Sequence, residues 1–452
     1  MKTKKTIFIL ILGLVFVFLV NFKHIRKSTI NQKDSIDQLN KIQTFNSGLP
    51  FKLKEQKFAP DQILVKFKPT LSDPFVEATI SAYQSKRIKR IPMLNIYQIQ
   101  IPENMTVEEM LFILNQNPDV EYAEPNYRAY IAVTPNDPLF TYQYALYNNG
   151  QEIGPIPGDP KGKPRADIKA TESWKETKGN ESVIIAIIDT GIDFDHPDLK
   201  DKIYSSGYDF ANEDSDATDD HGHGTHVAGI ASADTNNSEG MAGVAWNCKI
   251  LPIKVMDEEG SGYYSWTIDA IRWATDNEAS VINLSLGGDE PSKALEDALQ
   301  YAFEKDVVIV AAAGNEAGSV IYPAAYDAYC LAVSASDYND SCTEWSNYGP
   351  EIDVAAPGER ILSCVPIWYF GPDWLPYGFG SGTSMAAPHV AGLAALIKSI
   401  KPWLKASEIM NVIRYTADDI NAVAYPGNDE YIGYGRINME NALVPIKISG
   451  AK

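Results

Sequence analysis

Short apolar runs alternate with amphipathic segments through the second half of the chain. Near-continuous apolar strands separated by helices predict a parallel sheet that is covered on both faces. We therefore expect an α/β fold over residues 134–446, a three-layer, doubly wound, mostly parallel sheet with functional side chains beyond the carboxyl ends of its strands. The predicted strands are Val183–Ile188, Ile250–Val255, Val281–Leu284, Val307–Ala313 and Ile352–Ala356, and the predicted helices include His226–Ala233, Ser265–Ala274 and Pro291–Lys305.

A shorter block with a different pattern precedes this region. Ile63–Phe67 has the composition of a strand, Val107–Gln116 has helical spacing, and Val120–Tyr127 is strand-like and contains a proline. The pattern predicts a small α+β domain over residues 61–131. Residues 29–60 are polar without sustained periodicity, which is typical of a linker.

The N-terminus has the pattern of an export segment. Three lysines in Met1–Lys5 precede the charge-free, apolar run Thr6–Phe22. A basic start followed by an apolar run is typical of a signal peptide, but no small-x-small cleavage pattern follows, and the run is just long enough to span a bilayer. Residues 1–28 are therefore either a signal peptide or a membrane anchor, and we expect a secreted protein or an extracytoplasmic, membrane-anchored one.

Composition and charge exclude several classes of protein. Hydrophobic residues make up 45% of the chain and charged residues 22%, which excludes a wholly disordered chain, a collagen-like repeat and a multi-span membrane protein. Residues 132–452 contain 21 Lys and Arg against 47 Asp and Glu, a net charge of −26. Such a surface repels phosphate backbones, so nucleic acid is not an expected partner.

Four cysteines, Cys248, Cys330, Cys342 and Cys364, lie in this acidic region without a CxxC pair. An exported chain can form disulfides, and three full pairings are open to four cysteines. The apolar stretch around Cys330 instead predicts a buried thiol there.

Three segments place a reactive side chain beside glycines at the end of a predicted element. They are Asp189-Thr190-Gly191, His221–His226 and Gly382–His389, in which Ser384 starts an apolar helix that reaches about Ile400. Asp, His and Ser in this chain order form one of the arrangements of a hydrolytic triad. The histidine takes the proton of the serine hydroxyl, and the carboxylate fixes the tautomer of the histidine. Asn315, after the run Val307–Ala313, has an amide that can donate to an oxyanion.

With DTG at 189–191, HGTHVAG at 223–229 and GTSMAAPHVAG at 382–392, the chain resembles the subtilisin-like serine proteases, the subtilase family. TPNDPLFTYQY at 134–144 places it nearest to the subtilisin and thermitase-like branch. The resemblance implies a serine endopeptidase that hydrolyses proteins through an acyl-enzyme, with Asp189 as orienting acid, His223 as general base, Ser384 as nucleophile and Asn315 as oxyanion donor. Two further stretches resemble the walls of the family's substrate cleft. The resemblance implies that the substrate-binding residues are Gly260, Ser261, Gly262, Ser285, Leu286 and Gly287.

The block at 61–131, with ILVKFK and VEYAEPNY, resembles the propeptides of the same family. The resemblance implies an intramolecular chaperone and inhibitor, and hence a zymogen that processes itself, which we expect within Tyr130–Pro135. We expect the mature enzyme to be a monomer.

Calcium is the expected cofactor. The loop Thr235–Met241 is rich in oxygen donors, which suits a hard cation, although a solvated polar loop is the alternative. Resemblance to the family's strong calcium site implies side-chain ligands at Asp137, Asp198, Asn237 and Glu239, with backbone oxygens of Asp234 and Met241. The acidic run at 213–220 could hold a second ion, but plain solvation is the expectation there. A transition-metal cluster at His221, His223 and His226, with Asp219 and Asp220, is the weaker interpretation of the histidine run.

Two features concern specificity. Ile321 stands where the family's primary specificity pocket usually has glycine or a polar residue, which predicts a shallower pocket for mid-sized apolar side chains. The aromatic-rich insertion Trp368–Tyr377 is either a lid or substrate platform or simple packing. Two rival functions explain less: an inactive binding protein would need a broken triad, and an adhesion or structural protein would account only for the apolar N-terminus.

Overall fold

A computed structural model describes residues 58–127, 133–371 and 374–444. These residues belong to two compact units, 58–127 and 133–444. The predicted signal or anchor at 1–28, nearly all of the linker and part of the processing segment lie outside the described residues. Among the residues that are described, no helix is both long and apolar enough to cross a membrane.

The smaller unit has the predicted α+β fold. Its four strands form an antiparallel sheet in the order β2-β3-β1-β4, and its apolar core lies between this sheet and two helices. A capping box between Thr106 and Glu109 fixes the start of the second helix. The elements are β1 Phe58–Phe67, α1 Asp73–Ala82, β2 Lys86–Ile91, β3 Ile96–Gln100, α2 Val107–Leu114 and β4 Val120–Tyr127.

The predicted boundary between linker and small domain, at residue 60, is too late. β1 begins at Phe58, which pairs with Tyr127 of β4 before a register shift that follows in the strand. The two rings contact each other edge to face at 6.2 Å. Pro60 interrupts the apolar alternation that marks the rest of the strand, so the sequence pattern starts only at Ile63.

The larger unit is built on a seven-stranded sheet in the order β11-β10-β9-β8-β5-β7-β6, and every neighbouring pair in it is parallel. A separate antiparallel hairpin joins β12 to β13. The strands are β5 Ile184–Asp189, β6 Tyr208–Asp209, β7 Lys249–Lys254, β8 Val281–Leu284, β9 Val308–Ala312, β10 Cys330–Ser336, β11 Ile352–Pro357, β12 Ile361–Cys364 and β13 Tyr377–Gly380. The helices are α3 Ala170–Ser173, α4 His223–Ser232, α5 Tyr264–Asp276, α6 Lys293–Glu304, α7 Thr383–Ile400, α8 Ala406–Thr416 and α9 Met439–Leu443, with short 3-10 helices at Phe140–Tyr142 and Lys200–Lys202.

Helices cover both faces of the large sheet, which explains why its strands are apolar at nearly every position. Along β5, Ile185 and Ile187 face a core that includes α4 and α7, whereas Ile184, Ala186 and Ile188 face a second core that includes α5 and α6. The three layers confirm the predicted α/β fold. Because the sheet is parallel, β5, β7, β8 and β9 all end at the same edge.

All four cysteines are free thiols, so none of the three full pairings is formed. Cys248, Cys330 and Cys364 are buried, and Cys342 is partly exposed. The prediction of a buried thiol at Cys330 is confirmed, and burial raises its pKa well above the ordinary value.

Candidate active site

Asp189 and His223 meet at the carboxyl edge of the sheet. Asp189 is the last residue of β5, and His223 is the first residue of α4, three positions before the predicted helix start. His223 Nδ1 donates to Asp189 Oδ1 at 2.7 Å, and both side chains are buried. The close approach requires Gly224, because a Cβ there would collide with the Gly191 carbonyl.

The electrostatics around His223 favour a basic imidazole. Burial lowers its pKa, but the charge of Asp189, the hydrogen bond to it and the charge of Asp219 outweigh burial, so the pKa is raised above its ordinary value. The imidazolium is thus stabilised by a carboxylate that also fixes Nδ1 as the protonated nitrogen, leaving Nε2 as the basic one.

Ser384 lies in the first turn of α7, near the positive end of that helix. Its Oγ donates to the carbonyl of Ser285 at 3.1 Å, and the Ser285 hydroxyl donates back to the Ser384 carbonyl at 2.9 Å. α7 packs against α4, and the close contact of Gly380 with the His226 ring brings the chain before Ser384 beside the helix that starts at His223.

Asn315 is oriented by the residue before the serine. Its Oδ1 accepts from the backbone N–H of Thr383 at 2.8 Å and from the Thr383 hydroxyl at 3.0 Å. Both partners are donors, so the amide oxygen is engaged and the Nδ2 group is left for another acceptor. An amide donor next to the N–H groups of the first turn of α7 is the arrangement that an oxyanion needs.

Asp219 is a site residue that the sequence pattern does not reveal. The expectation that the acidic run is solvated is wrong here, because Asp219 is buried and its two oxygens accept hydrogen bonds from both sides of the site. They accept from the hydroxyl of Thr190, the residue after Asp189. At the start of α4 they accept from the Gly222 N–H and from the N–H and hydroxyl of Thr225. Asp219 therefore ties the carboxyl end of β5 to the helix that carries His223.

The predicted cleft walls follow β7 and β8, the two neighbours of β5 in the sheet. Gly260–Gly262 follow β7, and Ser285–Gly287 follow β8, so the two segments flank Asp189. Ile321 lies beside the second wall: a Cβ on Gly287 would be 2.6 Å from its Cδ1, and a Cβ on Gly314 would be 3.2 Å from its Cγ2. The Ile321 side chain thus fills the space between two glycine backbones.

Of the predicted calcium ligands, Asp137, Asp198 and Asn237 come together. Asp137 accepts from the backbone N–H groups of Asn236 and Asn237, and Asp198 accepts from Asn237 Nδ2, the Met241 N–H and the Tyr377 hydroxyl. Burial raises the pKa of Asp137 and of Asp198 to about 6. Within the described residues, no Lys or Arg forms an ion pair with either carboxylate.

The other predicted ligands contribute differently. The Asp234 N–H donates to the carbonyl of Asp198, and the Glu239 side chain is exposed. In the described part of the chain, no group of three or more His, Cys, Asp and Glu residues is arranged to hold a metal ion. Asp137, Asp198 and Asn237 thus lie together, whereas the Glu239 side chain is exposed to solvent, and among the described residues the histidine run is not arranged as a metal cluster.

Comparisons with known proteins agree with this geometry. Residues 180–435 match the model of the subtilase family, and residues 48–126 match that of the fervidolysin N-terminal prodomain. The chain is 45% identical over 338 residues to a thermophilic serine proteinase of Bacillus sp. (strain AK1), covering 75% of this chain and 76% of the relative. It is 40% identical over 310 residues to thermitase of Thermoactinomyces vulgaris, covering 69% and 99%.

A solved structure has the same fold. It is a protease from Pseudoalteromonas arctica, and the match covers 69% of this chain and 99% of that one with a TM-score of 0.58 and 33% identity. A doubly wound parallel sheet, a paired Asp and His at its carboxyl edge and a Ser at a helix N-terminus thus coincide with a family match over more than half of the chain. The protein belongs to the subtilase family of serine endopeptidases and carries a prodomain of the fervidolysin type.

Proposed function

We propose that the enzyme cleaves peptide bonds of proteins through a triad of Asp189, His223 and Ser384. The observation that carries the proposal is the 2.7 Å hydrogen bond from His223 Nδ1 to the buried Asp189 carboxylate, beside the helix that carries Ser384 in its first turn. Ser384 Oγ, which is hydrogen-bonded to the Ser285 carbonyl, turns to His223 Nε2 when substrate binds.

The reaction then has two halves. Ser384 Oγ attacks the scissile carbonyl carbon while His223 Nε2 takes the hydroxyl proton, and the oxyanion accepts from Asn315 Nδ2 and the Ser384 N–H. As the C–N bond breaks, His223 returns this proton to the leaving amine, and the acyl group stays on Ser384 as an ester. Water repeats the sequence with His223 as base and frees the acid. Loss of one oxyanion donor typically costs about 100–1,000-fold in kcat.

A serine-directed fluorophosphonate tests the proposed triad. Treatment of the purified mature enzyme should abolish peptidase activity and add one phosphonyl group, which mass spectrometry should locate on Ser384. Labelling at another serine with Ser384 unmodified would contradict the assignment. Prior occupancy of the cleft by a peptide aldehyde, which captures the same hydroxyl, should block the label.

We further propose that residues 61–131 act as propeptide and inhibitor and that 134–446 are the mature peptidase domain. The two described units, 58–127 and 133–444, are separated by a stretch of chain that includes the first part of the segment expected to be cut. The relatives include a protease named as extracellular, that of Natrialba magadii, which supports export by residues 1–28. Protein substrates outside the cytoplasm follow from this location.

Calcium would be held by the carboxylates of Asp137 and Asp198 and by the Asn237 amide oxygen, which here accepts from the Glu239 N–H. The residues fit a hard cation, because two buried carboxylates near Asp234 have no basic partner among the described residues. When bound, the ion would neutralise this charge and stabilise the fold, apart from the catalytic steps.

We expect chelation to destabilise the mature enzyme. A ligand at a hundredfold its Kd contributes about 2.7 kcal/mol of stability, so EDTA should lower the melting temperature by several degrees, and added calcium should restore it. Calorimetry of Asp198→Asn should show no calcium response, whereas Asp216→Asn, at an exposed acid of another loop, should keep it. Equal melting temperatures of the wild type with EDTA and with calcium would contradict the site.

We also propose that the P1 side chain, on the acyl side of the scissile bond, enters beside Ile321, where this residue makes the pocket shallow. Ile321→Gly should raise kcat/KM for P1 Phe relative to P1 Ala by about tenfold or more, as measured with matched peptide substrates. Ile321→Val, which keeps a branched side chain in the gap, is the control and should change the ratio little. A wild-type preference for Phe or Tyr would contradict the proposal.

A further inference from the structure

The residues Ile367, Trp368, Tyr369 and Phe370, here called the aromatic segment, lie in the connection between β12 and β13. The Trp368 and Tyr369 rings are 5.7 Å apart, and those of Tyr369 and Phe370 are 5.1 Å apart. Ile367 is 46% exposed, Trp368 is 51% exposed and Tyr369 is 36% exposed. Contiguous apolar side chains that remain in water mark a binding surface more often than a packing defect, and aromatic rings offer large contact area at low entropic cost.

Backbone hydrogen bonds hold this segment in place. The Ile367 N–H donates to the buried carboxylate of Asp193 at 2.7 Å, and the Asp193 N–H donates to the hydroxyl of Thr225 in α4. The Tyr369 N–H donates to the Pro366 carbonyl at 2.9 Å. The segment is thus fixed to the helix that carries His223, so binding would not have to order it first.

The aromatic segment reaches the residue next to the general base. A Cβ on Gly222 would lie 3.2 Å from two carbons of the Tyr369 ring, and Gly222 has φ of +106°. A Cβ on Gly260 would lie 3.0 Å from Nε2 of His221, the residue before Gly222. The order of contacts is therefore the wall at 260–262, then His221, then Gly222, then Tyr369.

In this order the aromatic segment approaches Gly222, whereas the wall at 260–262 approaches His221. The acyl half is bounded by the walls at 260–262 and 285–287 and by Ile321, as proposed above. A peptide whose acyl side lies along these walls and whose scissile bond lies at His223 would extend its leaving-group side toward Gly222 and the aromatic segment. The segment lies in an insertion outside the triad motifs, so it would contribute to this chain's own selectivity.

We propose that Ile367, Trp368 and Tyr369 form an apolar subsite for the side chain on the leaving-group side of the scissile bond, P1′. The subsite would favour a large apolar or aromatic residue there, which covers the exposed rings on binding. The inference rests on the proposed function, because it takes the position of the scissile bond from Ser384 and His223.

Partitioning of the acyl-enzyme tests the subsite directly. The mature enzyme is acylated with one peptide ester, and amino-acid amides then compete with water as acceptors, so that only the leaving-group side varies. We expect Phe amide to be favoured over Gly amide by about tenfold or more in the wild type. Trp368→Ala and Tyr369→Ala should each reduce this ratio several-fold, and Trp368→Phe should recover most of it. The ratio is measured on one acyl-enzyme, so a change in acylation rate cancels.

A matched control uses a tryptophan exposed elsewhere. Trp403 is 72% exposed before α8, and Trp403→Ala should leave both the ratio and the activity unchanged. Equal use of Phe amide and Gly amide by the active wild type, or ratios unaffected by both alanine variants, would overturn the inference alone. A change confined to a series of esters that vary at P1 would place the segment on the acyl side and overturn it too. Absence of any acyl-enzyme would instead contradict the proposed triad.

Discussion

Ser384→Ala should give a folded, full-length chain that remains uncut between Tyr130 and Pro135, with peptidase activity about a million-fold lower. The magnitude is the one known for loss of the nucleophile in a subtilisin, a relative of this protein. Folding should survive because the change removes a single hydroxyl whose one hydrogen bond runs to the Ser285 carbonyl. Alanine also suits a helix better than serine does.

Electrophoresis and mass spectrometry of the purified variant measure the outcome. Ser399→Ala is the control, since Ser399 lies in the same helix and its hydroxyl donates locally, to the Ala395 carbonyl. This variant should mature as the wild type does. A Ser384→Ala chain of mature size would show that another protease performs the cut.

Asp189→Asn should lower kcat by about 10,000-fold, the magnitude found for the equivalent change in a serine protease triad. The neutral amide no longer stabilises the imidazolium that forms on His223, and it no longer enforces the tautomer with a proton on Nδ1. The fold should persist, because the amide has nearly the shape of the carboxylate and can still accept from the Thr190 N–H.

The same variant should shift the pH profile. His223 must be neutral to act as a base, so activity is lost as pH falls through its pKa. Asp189 raises that pKa, and its replacement should move the acid limb of kcat/KM to lower pH. Asp219 also raises the pKa of His223. Asp219 and the neighbouring imidazole of His221 are both unchanged in this variant, so the shift of the acid limb reports Asp189 alone.

Asp216→Asn is the control for loss of a negative charge, because Asp216 is an exposed acid. This variant should leave the acid limb of the kcat/KM profile at the same pH as in the wild type. An acid limb that stays fixed in Asp189→Asn, or moves to higher pH, would contradict the pairing of Asp189 with the catalytic base.

Elements buried on both sides could be predicted from the sequence, and elements defined by contacts could not. Val281–Leu284 is predicted with its observed bounds because three of its four residues are apolar and only Asn283 is polar. β10 is absent from the predicted strands since Ser334 and Ser336 interrupt its apolar pattern, although both are buried. The exposed β2, with four basic residues in six, carries no apolar alternation at all.

The site residues likewise fall into those that the sequence reveals and those that depend on contacts in the fold. Asp189, His223 and Ser384 lie in motifs with glycines at element ends, which the sequence displays directly. Asp219 stands in a run of acids that looks solvated, and its role depends on which of five neighbouring acids points inward. Only the fold decides this, through the hydroxyls of Thr190 and Thr225.

The four unpaired thiols have a consequence for how the enzyme can be made and used. Its core is held by packing and hydrogen bonds within each unit, with no covalent cross-link whose formation would require an oxidase or an isomerase. Reducing agents that dismantle disulfide-stabilised secreted proteins would find no cross-link to break among these four cysteines, so the described fold should tolerate them.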